Sequence, residues 1–325
     1  MEELPLKDSS ISRIVGRGEL LETEETFLPF MAGHFKERGD VKGQNGEIIK
    51  EYEVSPLVEK MVEKISVDLP IFLKEYGLKS YLPVGVNNFH LVDLDDFKAK
   101  NPSLNDFDSF GVWDSKYQRV ILFLGEGSST MVSAFDLVSV VSHEIIHGQS
   151  FGSLNLESWK ENPEDGRSFL WSMDAIDPGE ATPGFIGLSQ RRGGLTMFSH
   201  DGEITYFRGL NEAVTQELTL RFSREFIPEH LVVNGLPVTP DYAIEKIEEG
   251  AGLVYKKNRE KLWQIIDDIF SASSGRFEDR EEVFKIFTEA YLNGDVLFLA
   301  KLVESTYGKG SFRRLGEETE DPKVA

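Results

Sequence analysis

Apolar residues recur along this chain in several rhythms, and each rhythm predicts a different element. In SPLVEKMVEKISVDLPIFLKEYGL, Leu57, Val58, Met61, Val62 and Ile65 return at helical spacing. Ser55 stands before them as an N-cap and Pro56 occupies the first helical position, so a helix starts here. Pro83–Leu94 and Gln118–Leu124 are short runs rich in β-branched and aromatic residues, and the second is closed by Gly125; both predict strands. The run SAFDLVSVVSHEIIHG opens on Ser133 and Asp136 in the manner of a capping box. It is apolar around most of its circumference and predicts a buried helix, with Gly148 available to end or loosen it.

From 149 to 208 the pattern breaks. Pro163, Pro178, Pro183 and several glycines predict a loop-rich stretch that ends in a hairpin, GLTMFS and ITYFRG flanking His200-Asp201-Gly202-Glu203. Helical periodicity returns at Leu210 and lasts to about Tyr307, with turns expected near Pro228–Pro240, Gly250–Gly252 and Ser271–Gly275. Thr239-Pro240 repeats the cap-and-proline signature, and Gly308 follows the last apolar run. Residues 1–25 are polar, and Gly33, Gly39, Gly43 and Gly46 predict turns or a hairpin before Ser55. The expected organisation is an N-terminal extension over 1–55 and an α/β subdomain over 56–208 with 149–208 as an insertion. A helical subdomain over 209–312 and a disordered acidic tail over 313–325 complete it. The fold class is therefore α+β, with a mixed sheet in the N-terminal half and a mostly helical C-terminal half.

Composition narrows the chemistry. The 325 residues include no cysteine, which excludes disulfides, cysteine nucleophiles, iron–sulfur clusters and thiolate zinc sites. A transition metal would have to be held by His, Asp and Glu. Thirty-five basic against 56 acidic side chains give a formal charge of −21, which argues against nucleic acid and against anionic membrane surfaces. The N-terminus lacks the basic-then-apolar order of a signal peptide, and no apolar run approaches membrane-spanning length, so a cytoplasmic protein is expected.

His143-Glu144-Ile145-Ile146-His147 is an HExxH motif on the predicted buried helix. Residues four apart on a helix differ by about 40° in azimuth and one turn in height, so the two imidazoles converge on one point. Glu144, offset by about 100°, can reach a water at that point without ligating the ion. Neutral imidazoles suit zinc, whose catalytic sites use three protein ligands and leave one position for water. Val140, Val141, Ile145 and Ile146 surround these polar groups with apolar neighbours, and burying two histidines and a glutamate there is costly unless something pairs them.

The third ligand separates the families. Ser150 and Ser153 stand where the extended metzincin pattern requires Gly and His, and Asp174, Asp177 and Asp201 are conceivable carboxylate ligands. Downstream, Leu210-Asn211-Glu212-Ala213-Val214-Thr215-Gln216-Glu217-Leu218 opens a second helix, read as amphipathic. Here the sequence resembles the gluzincin metallopeptidases, the clan of thermolysin-like zinc enzymes, in which a glutamate on a following helix completes the HExxH site. The resemblance implies that His143, His147 and Glu212 bind one zinc ion and that Glu144 is the general base for hydrolysis of peptide bonds through a metal-bound water. It implies a peptide or protein substrate lying along the strand before the active helix, within GVWDSKYQRVILFLG.

Two departures stand out. The 65 positions from His147 to Glu212 are a long interval, and Gln216 occupies a position that is acidic in thermolysin-like enzymes. A glutamine can still accept a hydrogen bond from a ligand imidazole but adds no charge, and Glu217 is a poorer substitute by geometry. Tyr206, His200, Tyr255 and Tyr291 are the candidates for stabilising an oxyanion. His34, His90 and His230 belong to no pattern. No GxMEN segment, which captures a free amino terminus in related aminopeptidases, is present, which favours an endopeptidase. Two competing readings are a zinc-bound peptide-binding protein without turnover and a zinc amidase acting on a small metabolite.

Overall fold

The computed structural model describes residues 4–7, 11–15, 38–43, 45–102, 110–114, 118–124, 134–158, 186–198, 205–230, 232–233, 236–249 and 255–318. In chain order the early elements are β1 (Ile11–Val15), α1 (Pro56–Glu75), β2 (Phe89–Asp93), α2 (Leu94–Lys100), β3 (Gly111–Asp114), β4 (Arg119–Leu124) and α3 (Ala134–Gln149). Four strands follow, β5 (Gly152–Ser158), β6 (Ile186–Gly193), β7 (Thr196–Phe198) and β8 (Thr205–Tyr206). The remainder is α4 (Arg208–His230), a β9 (Val232–Val233) and β10 (Leu236–Pro237) pair, α5 (Pro240–Glu249), α6 (Lys256–Ala272), α7 (Arg280–Asn293), α8 (Val296–Tyr307) and α9 (Ser311–Glu318). A mixed α+β half followed by a mostly helical half is the architecture observed.

Local sequence explains several of these boundaries. Ser55 Oγ accepts the Val58 amide at the start of α1, and Thr239 Oγ1 accepts the Tyr242 amide at the start of α5. A three-stranded sheet runs in the order β2-β4-β3, with β2 parallel and β3 antiparallel to β4. Its strands alternate as the period of two demands. Phe89, Leu91, Val120 and Leu122 join the main core with α1, α3, α4, α6, α7 and α8, while Val92, Ile121 and Phe123 pack with Val41, Ile49 and Phe97 on the other face.

The N-terminal extension is built into this frame. Leu6 bridges Tyr81, whose carbonyl accepts the Lys7 amide and whose amide donates to the Pro5 carbonyl, and β1 pairs in parallel with β5. Lys42 and Ile48 form the hairpin expected around Gly43 and Gly46, whose φ of 83° is left-handed. Residues 1–25, Gly33 and His34 otherwise lie largely outside the described residues.

Three expectations require correction. The stretch 149–208 is not simply loop: β5 to β8 join β1 in a five-stranded sheet, order β1-β5-β6-β7-β8, in which β7 and β8 form the expected hairpin. Helix α4 is not amphipathic but buried on most sides, with Asn211, Thr215, Gln216, Glu217, Thr219 and Ser223 all enclosed, and it runs through Pro228 to His230. Disorder does not begin at 313, because α9 extends to Glu318 and buries Leu315. Residues 319–325 lie outside the description.

Asp93 joins the last residue of β2 to α2. Its Oδ1 accepts the Asp96 amide, and its Oδ2 accepts from Lys50 Nζ at 2.9 Å and the Tyr52 hydroxyl at 2.8 Å. The hydrogen bond from Lys50, with that from the Asp96 amide, pulls this carboxyl down to about 2. A folded-state pKa below the unfolded one means that the stabilisation is present above about pH 4 and is lost as pH falls through about 2. Lys50 is well exposed, so solvent screening keeps the contribution small. Denaturant titrations of Asp93→Asn should show that loss at pH 7 and converge with wild type near pH 2. An equal deficit at both pH values would contradict the ion-pair account.

Candidate metal centre

Helix α3 carries the HExxH residues through the core. Twelve of its positions are buried, including Val141, Ile145 and Ile146 on the walls and His143 and Glu144 themselves. Its C-terminal end is tied down from two sides. The Gln149 side chain bonds both the amide and the carbonyl of Leu82 at 2.7 Å, and Lys7 Nζ donates to the Gln149 carbonyl at 3.0 Å. A cation at a helix C-terminus complements its exposed carbonyls.

Helix α4 brings the third residue. Before it, Phe207 takes a left-handed φ of 62°, held by its amide bond to the Gly316 carbonyl and by its ring against Phe312. Such a conformation is costly for a residue with a side chain, so these contacts over-determine it. Asn211 then accepts the Leu195 amide at 2.8 Å through Oδ1, which fixes the β6–β7 turn to the helix. The asparagine of the motif is thus a tether, one residue before Glu212.

The three side chains meet. Glu212 Oε2 lies 3.3 Å from His143 Nε2 and 3.3 Å from His147 Nε2, and the two Nε2 atoms are 3.1 Å apart. A tetrahedral ion with bonds of about 2.0–2.1 Å spaces its ligand atoms by roughly 3.3 Å, so the triangle has the right edge for one. Side-chain exposures of 10 %, 19 % and 18 % show that solvent still reaches the group. His143, His147 and Glu212 could therefore hold a metal ion, as a His/His/Glu set. Burial alone would raise the Glu212 carboxyl, yet the His147 and His143 rings hold it well below the usual carboxylate range.

The second ring nitrogens decide what the first ones offer. Gln216 Oε1, an acceptor only, lies 3.1 Å from His143 Nδ1, so that nitrogen carries a proton and the neutral ring would present its lone pair at Nε2. His147 Nδ1 faces the Tyr291 hydroxyl at 3.4 Å. With both rings neutral and protonated on Nδ1, two imidazole lone pairs and a carboxylate oxygen would face one another, an arrangement that a cation between them relieves. Glu217 takes no part: it bonds Arg221 at 2.8 Å and Arg259 at 3.2 Å instead.

Glu144 is 7 % exposed and stands beside β3. Burial pushes its carboxyl up to about 7; His143 and the Trp113 backbone N–H pull it down, and the Glu212 carboxylate adds to the rise. Close approach of strand and helix depends on two glycines. A Cβ on Gly111 would lie 2.8 Å from Val140 Cγ1 and 3.2 Å from Glu144 Cγ, and one on Gly148 would lie 2.9 Å from three atoms of the Trp113 indole. Gly148 therefore does not end the helix, which continues to Gln149; it makes room for Trp113.

The remaining candidates separate cleanly. Tyr255 stacks on the His143 ring, centroids 5.6 Å apart and planes at 10°. Tyr291 is fully buried behind His147 rather than on the side facing Glu212, and Tyr206 lies on β8 in contact with Arg313. His90 bonds Glu51 at 2.9 Å and His230 bonds Asp68 at 3.1 Å, away from the triangle. Asp174, Asp177, Asp201 and His200 lie outside the described residues. The tethering role of Asn211 and the support from Tyr291 had no signal in the sequence, since each depends on contacts with distant segments. Among the described residues no helix is long and apolar enough to cross a membrane. No family model, curated protein or solved structure matches the sequence.

Proposed function

We propose that this chain is a zinc-dependent metallopeptidase of gluzincin type, with His143, His147 and Glu212 as ligands and Glu144 as general base. The observation that carries the reading is the lone-pair triangle of 3.1–3.3 Å with a buried glutamate one residue along the same helix from its first histidine. Two neutral imidazoles and a carboxylate, without thiolate, form a donor set suited to zinc. A zinc ion held by His143, His147 and Glu212 would supply Lewis acidity toward the scissile carbonyl and the attacking water.

The chain's own groups supply the rest. Glu144 takes a proton from the attacking water on its carboxylate and returns it to the leaving amine nitrogen. Strand β3 lies at the edge of its sheet and packs beside α3, which is where an extended peptide could add as a further strand through main-chain hydrogen bonds. Tyr255, against His143, is the candidate for supporting charge on the carbonyl oxygen.

The test is direct. Purified protein should hold about one zinc per chain and cleave members of a mixed peptide library; chelation should abolish cleavage and added zinc restore it. Absence of stoichiometric metal would sink the reading. Bound zinc with no cleavage of any peptide would favour the binding protein whose neutral Gln216 reflects lost turnover, and cleavage confined to small amides would favour the amidase.

A further inference from the structure

Tyr291 sits on α7, far from the HExxH helix in sequence, yet its hydroxyl lies at the back of the second histidine. It is fully buried. Thr215 Oγ1 lies 2.9 Å from it and 2.9 Å from the Asn211 carbonyl, it donates to the Ile146 carbonyl at 3.3 Å, and His147 Nδ1 lies 3.4 Å away. With the Thr215 proton shared with the Asn211 carbonyl and the Ser150 proton on the His147 carbonyl at 2.7 Å, the phenol oxygen has a lone pair for the ring N–H. Burial pushes the phenol far above its usual range, so it stays neutral and keeps both its donor and its acceptor functions.

The ring itself cannot wander. Gly194, at a φ of 59°, leaves no more space than its missing Cβ allows, since a methyl there would come within 2.5 Å of the Tyr291 ring. The Phe151 amide donates to the Tyr291 carbonyl at 2.9 Å. Arg192 caps the end of α7 with bonds to the carbonyls of Ala290 at 2.8 Å and Gly294 at 2.7 Å, and its third bond, 2.7 Å, goes to Gly194. Thr215 is three residues beyond Glu212 on α4, so one hydroxyl joins the helix of the carboxylate to the helix of the imidazoles.

We infer that Tyr291, supported by Thr215, is a positioning residue for the metal centre: it holds His147 as the Nδ1–H tautomer, so that Nε2 offers its lone pair beside His143 and Glu212. The inference rests on the assignment of those three residues as ligands. It removes Tyr291 from the oxyanion candidates, because its hydroxyl lies on the Nδ1 side of the ring and not on the side facing Glu212. It also gives each ligand histidine its own neutral support, Gln216 for His143 and Tyr291 for His147.

Tyr291→Phe tests this with two measurements on the full chain at pH 8. Competition for zinc against a chromophoric chelator should show an affinity loss of about tenfold to a hundredfold, with stoichiometry unchanged. Nitrogen-15 spectra of the histidine rings in chelator-treated protein should show that His147 has lost its Nδ1–H signature while His143 retains its own. A purely packing role would leave the tautomer alone. Zinc affinity within about twofold of wild type, with the His147 tautomer unchanged, would overturn the inference. Should Tyr291→Phe fail to fold, Thr215→Val removes the partner of the hydroxyl and should weaken zinc binding by at least about threefold; no change would overturn the inference as well. The tautomer readout needs neither zinc nor substrate, so the peptidase proposal can fail without disturbing it.

Discussion

Glu144→Gln is expected to lower kcat for peptide hydrolysis by about a thousandfold while leaving one zinc per chain. The argument begins with size: glutamine fills the same volume, so the tight contacts with β3, where Gly111 leaves little room beside the side-chain stem, are undisturbed. Its amide oxygen can still accept the Trp113 N–H that the carboxylate accepts now. What disappears is a group able to take and return a proton, and positioned general bases contribute roughly 10²–10⁴-fold. KM should move little, because the residue contributes to the transition state rather than to holding the peptide. Melting temperature should not fall, since an enclosed carboxylate is itself costly. Retention of activity within tenfold of wild type, in protein shown to carry zinc, would remove Glu144 from the mechanism.

The second large effect is on folding. Gly194→Ala should destabilise the protein by about 3–5 kcal/mol. A left-handed φ of 59° costs an alanine roughly 1 kcal/mol on its own. The added methyl would collide with Asn211 Oδ1 and come within 2.5 and 2.7 Å of the Tyr291 ring, and both neighbours are buried and already committed. Overpacking of this kind costs about 1–3 kcal/mol. Displacing Asn211 also breaks its bond to the Leu195 amide, worth about another 1 kcal/mol. Urea titration measures the total, and Gly275→Ala provides the comparison. Gly275 has a φ of 80° but open space where the methyl would go, so its loss should stay near 1 kcal/mol. Equal losses in the two variants would show that the turn at Gly194 yields to the methyl. Zinc affinity should fall with Gly194→Ala alone, since Asn211 precedes Glu212 and Tyr291 backs His147.

Much of this arrangement is legible in the sequence because it is local. The cap of α1 at Ser55, the burial of α3 and the facing of His143 and His147 follow from residues within a few positions of one another. Glu212 was reachable only through resemblance, as nothing in the spacing of α3 says where a carboxylate 65 positions later will lie. The local pattern does not predict the sheet containing β5 and β6, because β5 pairs in parallel with β1, far upstream, and antiparallel with β6 across a long interval, and such pairings leave no short-range signal. The sequence of α4 predicts an amphipathic helix, whereas its polar residues are enclosed and bonded: Thr215 and Thr219 to the helix backbone, Gln216 to His143, Glu217 to two arginines. Hydropathy cannot distinguish a polar side chain facing water from one facing a buried partner.

A chain without cysteine has no covalent means of tying distant segments together. The triangle on α3 and α4 offers a substitute. An ion seated on His147 and Glu212 would close a 65-residue loop. By the loop-entropy arithmetic applied to cross-links, closure of that length removes about 4 kcal/mol of freedom from the unfolded chain. Unlike a disulfide, this staple is indifferent to reductants and reversible by chelation. Thermal stability would accordingly track free zinc concentration, making resistance to unfolding a titratable property of the surroundings.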